Sequence, residues 1–235
     1  MFKRSFITIL GLTIFVLATT AFAADKYQWK FVGTKNQCQI YTSDVPGKGY
    51  IAAKASCIVP ARIETIGTVI KDVANLPKWM EDCAETKLLN IYDENNDGVI
   101  FWFHQHVPIK TDRDTVLKST VKQDYKHGKA TIYVDSTKET NYDAGKGYVR
   151  MPSFNAVWTL QWVDREHTKV TFMIDPDLSE GIPKFIANHF IKINPYNTLQ
   201  NMTKIVKDPK YIEEGKNSKY NKIIEELIKT GDLKP

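Results

Sequence analysis

Residues 147–206, GYVRMPSFNAVWTLQWVDREHTKVTFMIDPDLSEGIPKFIANHFIKINPYNTLQNMTKIV, determine how the rest of the chain reads. The first half of this stretch has the period of strands: Phe154, Ala156, Trp158, Leu160 and Trp162 alternate onto one face, and residues 169–174 repeat the pattern. Asp175-Pro176 and Gly181-Ile182-Pro183 break it. Helical spacing then places Ile182, Phe185, Ile186, Phe190, Ile193, Leu199, Met202 and Val206 largely on one face, with a kink expected at Pro195. One long helix laid across a strongly curved antiparallel sheet can leave an apolar volume that side chains do not fill.

Upstream, the pattern is also mainly of strands, so the class is α+β. Strands are expected at residues 38–41, 51–57, 87–92, 99–107, 115–123, 130–136 and 148–150, and again at 154–163 and 169–174. The short gaps between them leave no room for crossover helices and imply antiparallel pairing. Asn95-Asn96-Asp97-Gly98 is a hairpin turn signal. Ile63, Ile66, Val69, Ile70 and Val73 form one amphipathic helix after the stop at Val59-Pro60. Toward the end, Ile223, Ile224, Leu227 and Ile228 predict another helix, expected to pack on the outside.

Lys3 and Arg4, an apolar run over residues 6–17 and then Ala21-Phe22-Ala23 make a secretory signal peptide of residues 1–23. The run is too short to cross a hydrocarbon core of about 30 Å, as an uncleaved anchor would have to. The expected location is periplasmic or secreted. The remainder divides into a domain over 24–208 and a C-terminal helical extension over 209–235. The formal charge of +5 is mild and comes without a run of like charges, which argues against nucleic acid and weakly favours an anionic membrane surface.

Three cysteines in an exported chain allow one disulfide among Cys38, Cys57 and Cys83. A hairpin around Val45-Pro46-Gly47-Lys48-Gly49 sets Cys38 opposite Cys57, so that pair is expected, with Cys83 free. Three unpaired buried thiols are the alternative.

Several matches in the right order resemble the StAR-related lipid-transfer (START) domain family across residues 29–206. They are Trp79, Pro108 followed by Asp112-Arg113-Asp114, Val149-Arg150, Asp175-Pro176, Gly181-Ile182-Pro183, Asn188 and Pro195. The resemblance implies a helix-grip fold and a monomeric carrier of one lipid or other hydrophobic small molecule, gated by the helix over residues 182–206 and touching membranes transiently. Two departures stand out. Sterol-binding members place a buried acidic and basic pair where this chain has Ile100-Phe101-Trp102-Phe103-His104 and Ser119. Their Gly-rich loop is Asp177-Leu178-Ser179-Glu180 here.

The expected ligand wall is Trp102, His104, Arg113, Arg150, Trp158, Met173, Phe185 and Phe190. His104 and His106 share a strand face and with Asp112 or Asp114 could approach a metal, but they lack an evident third ligand; hydrogen bonding to a lipid head group suits them better. Arg113 reads as a structural ion pair with Asp112, Asp114 or Asp175, whereas Arg150 is open. No Gly-x-Ser-x-Gly, His-Glu-x-x-His, phosphate loop or Cys-x-x-Cys occurs, so neither catalysis nor a cofactor is expected. Two other readings stay open: a cyclase or aromatase using His104, Tyr148 and Arg150, and a ligand sensor that signals to a protein through the tail. On this wall, Arg150→Ala or His104→Ala is expected to lower ligand occupancy more than stability.

Overall fold

The computed structural model describes residues 26–108, 110–178 and 181–235. The segment expected to be a signal peptide and Ser179-Glu180 lie outside these residues. In chain order the elements are β1 (Lys30–Lys35), β2 (Cys38–Asp44), β3 (Ile51–Val59), α1 (Ile63–Lys71), a 3-10 helix (Val73–Lys78), β4 (Cys83–Asp93), β5 (Gly98–Gln105) and β6 (Asp112–Asp124). After a 3-10 turn at Tyr125–His127 come β7 (Lys129–Ser136), β8 (Tyr148–Arg150), β9 (Ser153–Trp162), β10 (Thr168–Asp177), α2 (Lys184–Ile205), α3 (Pro209–Asn217) and α4 (Lys219–Thr230).

The strands form one curved sheet in the order β1-β2-β3-β10-β9-β7-β6-β5-β4, with helices on its concave side, which is a helix-grip architecture. Among the described residues all pairings are antiparallel except β6 with β8. That exception corrects the all-antiparallel expectation and has a local cause. β7 pairs with β6 only from Leu117 onward, which leaves Asp112–Asp114 open for β8 to bind in parallel.

The hairpin of β1 and β2 was not expected from the sequence. Its turn residues, Asn36 and Gln37, both adopt positive φ, 45° and 61°, as a two-residue primed turn requires, although neither is glycine. Cys38 and Cys57 are joined as a disulfide across β2 and β3, with Cα atoms 4.4 Å apart, next to the Gln39–Ser56 pair. Cys83 is free, and burial pushes its thiol pKa up to about 12, so it packs as a small apolar group.

Register places Ala55, Phe172 and Trp158 side by side, so Ala53, Cys57, Val59, Val170 and Ile174 share their concave face. On β3 this face is lined by Ala53 and Ala55, both fully buried, and their small side chains let α2 settle directly on the strand. The buried side of α2 is Ala187, Ile191, Asn194, Pro195, Tyr196, Thr198, Leu199 and Met202. This corrects the expected stripe: Phe185 is 77% exposed, while Phe190 and Ile193 are half-buried. Counting only apolar residues missed Asn194 and Thr198. Asn194 Nδ2 donates to the Glu81 carbonyl at 3.0 Å, and Thr198 Oγ1 accepts from the Glu81 N–H at 3.2 Å, so both satisfy the turn before β4. The helix runs unbroken through Pro195.

Asp175 is fully buried on β10 and gathers the start of the described chain onto the sheet. Its carboxylate accepts from Lys26 Nζ at 2.7 Å, Lys48 Nζ at 2.8 Å and the Tyr27 hydroxyl at 2.9 Å. Burial raises the Asp175 pKa, but the bonds from Lys26, Lys48 and Tyr27 outweigh it, leaving a net lowering. A lowered folded-state pKa contributes stability above the unfolded value of about 4, and that stability is lost as pH falls through the folded value. Asp175→Asn is therefore expected to lose about 1–3 kcal/mol at neutral pH and to show a shallower decline below about pH 4, measured by denaturant unfolding across pH.

Candidate functional site

The concave face of the sheet is shared between two covers. Over β2, β3 and β10 it is filled by α2. Over β9, β7, β6 and β5 the inward side chains face α1 and the 3-10 helix across a cavity of about 830 Å³. Strict alternation supplies its sheet wall: Phe101 and Phe103 from β5, Leu117 and Val121 from β6, Ile132 and Val134 from β7, and Phe154, Trp158, Leu160 and Trp162 from β9. The helical wall is Ile63, Ile70, Val73, Leu76 and Met80. Small residues explain why the space stays open. Gly67 on α1 and Ala130, Ala156 and Ser119 on the sheet all line it, and a Cβ at Gly67 would meet nothing within 4 Å. The volume falls in the range of about 300–1,000 Å³ typical of ligand pockets, and the lining is predominantly apolar.

The remaining wall is the C-terminal segment, which corrects the expectation that it packs outside. Ile224 and Leu227 of α4, and Leu233 beyond it, line the cavity. Asp208 caps α3 by accepting from the Lys210 N–H, Ser218 caps α4 through the Asn221 N–H, and Gly231 closes α4 in the left-handed conformation. Where α3 crosses α1, Gly215 lies so close that a Cβ would come within 3.0 Å of the Thr65 backbone. Polar bonds hold the segment at its edges. Glu225 accepts from Arg165 at 2.7 Å and from Arg62 at 2.8 Å, and these two arginines hold its pKa below the usual carboxylate value. Tyr220 donates to Asp97 at 2.5 Å, and Trp162 Nε1 donates to the Lys234 carbonyl at 2.9 Å. Burial and the Asp72 hydrogen bond push the Tyr211 hydroxyl pKa up to about 12.

Of the residues expected on the ligand wall, Trp158 lines the cavity, stacked on Phe172 at 3.7 Å between ring centroids and set edge-on to Trp79. Trp102, His104 and Arg150 do not. With Phe101 and Phe103 pointing inward, Trp102 and His104 must point to the opposite face, where Trp102 joins Ile100, Val116, Tyr142 and Tyr148 in a small second cluster. There Asp114 accepts from Trp102 Nε1 at 2.9 Å and from Arg150 at 2.9 and 2.8 Å. Asp112 bonds His104 at 2.8 Å, His106 at 3.0 Å and the Val107 N–H at 2.9 Å. Burial works against the Asp112 carboxylate, but the Val107 N–H and His104 outweigh it and lower its pKa.

Arg113 is buried and donates to the carbonyls of Leu178, at 2.9 Å, and Thr111; burial lowers its pKa. Asp175, one of its expected partners, is bonded by Lys26, Lys48 and Tyr27. Met173 is half-buried opposite Lys54, because Phe172 and Ile174 take the concave face. Phe185 is exposed, and Phe190 borders a small crevice with Ile174, Leu178 and Ile182. Among the described residues, no group of three or more His, Cys, Asp or Glu side chains gathers as a metal site.

A family profile described as START domain matches residues 18–211. An uncharacterized protein of Pseudomonas aeruginosa is 29% identical over 199 residues, covering 83% of this chain and 93% of its own. The fold is similar to that of a STAR-related lipid transfer protein fragment from Xanthomonas axonopodis, with a TM-score of 0.68 and 22% identity over 77% of this chain and 99% of that one. It is also similar to human STARD10, with a TM-score of 0.68 and 17% identity over 79% of this chain and 76% of that one.

If the space beside Ala156 is hollow, Ala156→Trp should fold with little loss, whereas in a packed core it would cost about 1–3 kcal/mol. Uptake of a fluorescent apolar probe should fall at least about tenfold in this variant, a loss of about 1.4 kcal/mol of binding. His104→Ala, on the opposite face, should leave uptake unchanged and lower the melting temperature. Loss of uptake in His104→Ala with an unchanged melting temperature would restore the wall expected from sequence.

Proposed function

The chain belongs to the START domain family, and on that premise we propose that it is an exported carrier that holds one lipid in the cavity between α1, the β5–β9 half of the sheet and the C-terminal helices. The observation that carries this reading is the predominantly apolar lining over about 830 Å³. Removing hydrocarbon from water at about 25 cal/mol per Å² supplies affinity without any reactive group. The N-terminal charged, apolar and small-residue pattern supports export.

The gate of this carrier is the C-terminal pair α3 and α4, because α4 contributes wall residues and is tied at its edges by polar contacts to Arg62 and Arg165. Exchange at a membrane begins with release of the bonds from Arg62 and Arg165 to Glu225. Lys71, Lys129, Lys210 and Lys219 border the cavity and favour an anionic leaflet during that contact. The protein works as a monomer in this scheme, since one chain supplies every wall. Cyclase-like catalysis is disfavoured: His104, Tyr148 and Arg150, its candidate groups, do not line the cavity.

Native mass spectrometry of the full chain purified without detergent should find one lipid per protein. Glu225→Gln should release it to acceptor vesicles at least about tenfold faster, with circular dichroism unchanged. A chain that is ligand-free and takes up no lipid from vesicles would contradict the carrier reading.

A further inference from the structure

Glu64, in the first turn of α1, lines the cavity, and its side chain is completely shielded from solvent. One carboxylate oxygen, Oε1, accepts from Arg62 Nε. The other, Oε2, is buried and has no hydrogen-bond partner among the described residues. A buried acceptor left unsatisfied costs about 1–3 kcal/mol, and more when it is charged, so such an atom on a ligand wall points to a partner that arrives with the ligand.

Several other polar groups bordering the cavity are paired with one another. Tyr220 and Lys71 both bind Asp97, Lys210 binds Asp72, and Tyr125 donates to Gln123. Arg62 is engaged as well: its NH2 group donates to Asn221 at 2.9 Å and to Glu225 at 2.8 Å. Burial disfavours the Arg62 cation, but Glu225 and Glu64 outweigh this and hold its pKa above the usual value. This guanidinium is therefore committed to the two glutamates rather than to an incoming anion.

We propose that Glu64 Oε2 is the head-group anchor of the cavity, and that it selects lipids whose buried polar end is a hydrogen-bond donor, a hydroxyl or an amine, over lipids ending in a carboxylate. The inference rests on the carrier reading and gives it a ligand class. A hydroxyl or ammonium completes the valence of Oε2. A ligand carboxylate would set like charges together where the dielectric is low and repulsion is strong. The same anchor ties ligand to gate, since Arg62 joins Glu64 on one side and Asn221 and Glu225 of α4 on the other.

The test uses the full chain stripped of endogenous lipid and titrated by calorimetry with decanol, decylamine and decanoate, which share one chain length. Decanol and decylamine should bind at least about tenfold more tightly than decanoate, and Glu64→Gln, which keeps the shape and can donate as well as accept, should collapse that difference. Equal binding of the three by the wild-type chain would overturn the anchor and leave the carrier intact; it would mean that Oε2 is served by water. An unchanged preference in Glu64→Gln would do the same. Failure of all three to bind the wild-type chain would overturn the carrier reading and this inference together. The wild-type ranking needs no variant, so it stands even if Glu64→Gln folds poorly.

Discussion

The close approach of α2 to β3 sets where the molecule is solid and where it is hollow. Ala53 and Ala55 present almost no side chain to the helix, so Ile191, Leu199 and Met202 reach the sheet and nothing larger than a side chain fits between. The helix cannot slide toward the other half of the sheet, because Asn194 and Thr198 hold the turn before β4, and Tyr196 accepts from Asn36 in the first hairpin at 2.8 Å. A sheet of this curvature has more concave surface than one helix covers. The uncovered part, over β5 to β9, is where side chains fail to meet.

A second cover is then needed, and the chain supplies it in two pieces of different character. The first, α1 with the 3-10 helix, presents Ile63, Ile70, Val73 and Leu76 beside Glu64 to the cavity and is continuous with the core through Ile66, Val69 and Leu76. The second, α3 with α4, brings the apolar Ile224 and Leu227, with Leu233 beyond them, to the wall beside polar residues such as Lys210 and Tyr220, and ion pairs and hydrogen bonds run along its edges. Partly exposed ion pairs contribute up to about 1 kcal/mol each, which suits the gate proposed for this segment. Glu64 stands at the seam of the two pieces, and the polar end of a ligand there would feel both.

Much of the fold could be read from the sequence because its strands alternate and its turns are chemically marked. The alternation of β9 gave both the strand and its inward face. The hairpin over Val45–Gly49 placed Cys38 opposite Cys57. Failures came where the code is silent. β5 is apolar at five successive positions, Val99 to Phe103, so periodicity cannot say which face carries Trp102 and His104, and both lie on the face away from the cavity. The first hairpin turns on Asn36-Gln37, without the glycine that usually announces such a turn. The buried face of α2 contains asparagine and threonine, which a count of apolar residues skips. Glu64 carries no distinctive signal in the sequence, because a carboxylate early in a helix ordinarily reads as a favourable dipole contact. The role of α4 had a visible signal, the spacing of Ile224, Leu227 and Ile228, but its partner surface was not in the sequence.

The central claim is that a guest molecule lies against β5–β7, β9 and α4, and not beneath α2. Loading the full chain with a lipid that carries a photoreactive group along its tail, followed by irradiation and peptide mapping, tests this most directly. The account predicts adducts on peptides containing Phe101, Ile132, Trp158 and Leu227. Adducts concentrated on the buried face of α2, at Ile191 and Leu199, would contradict it.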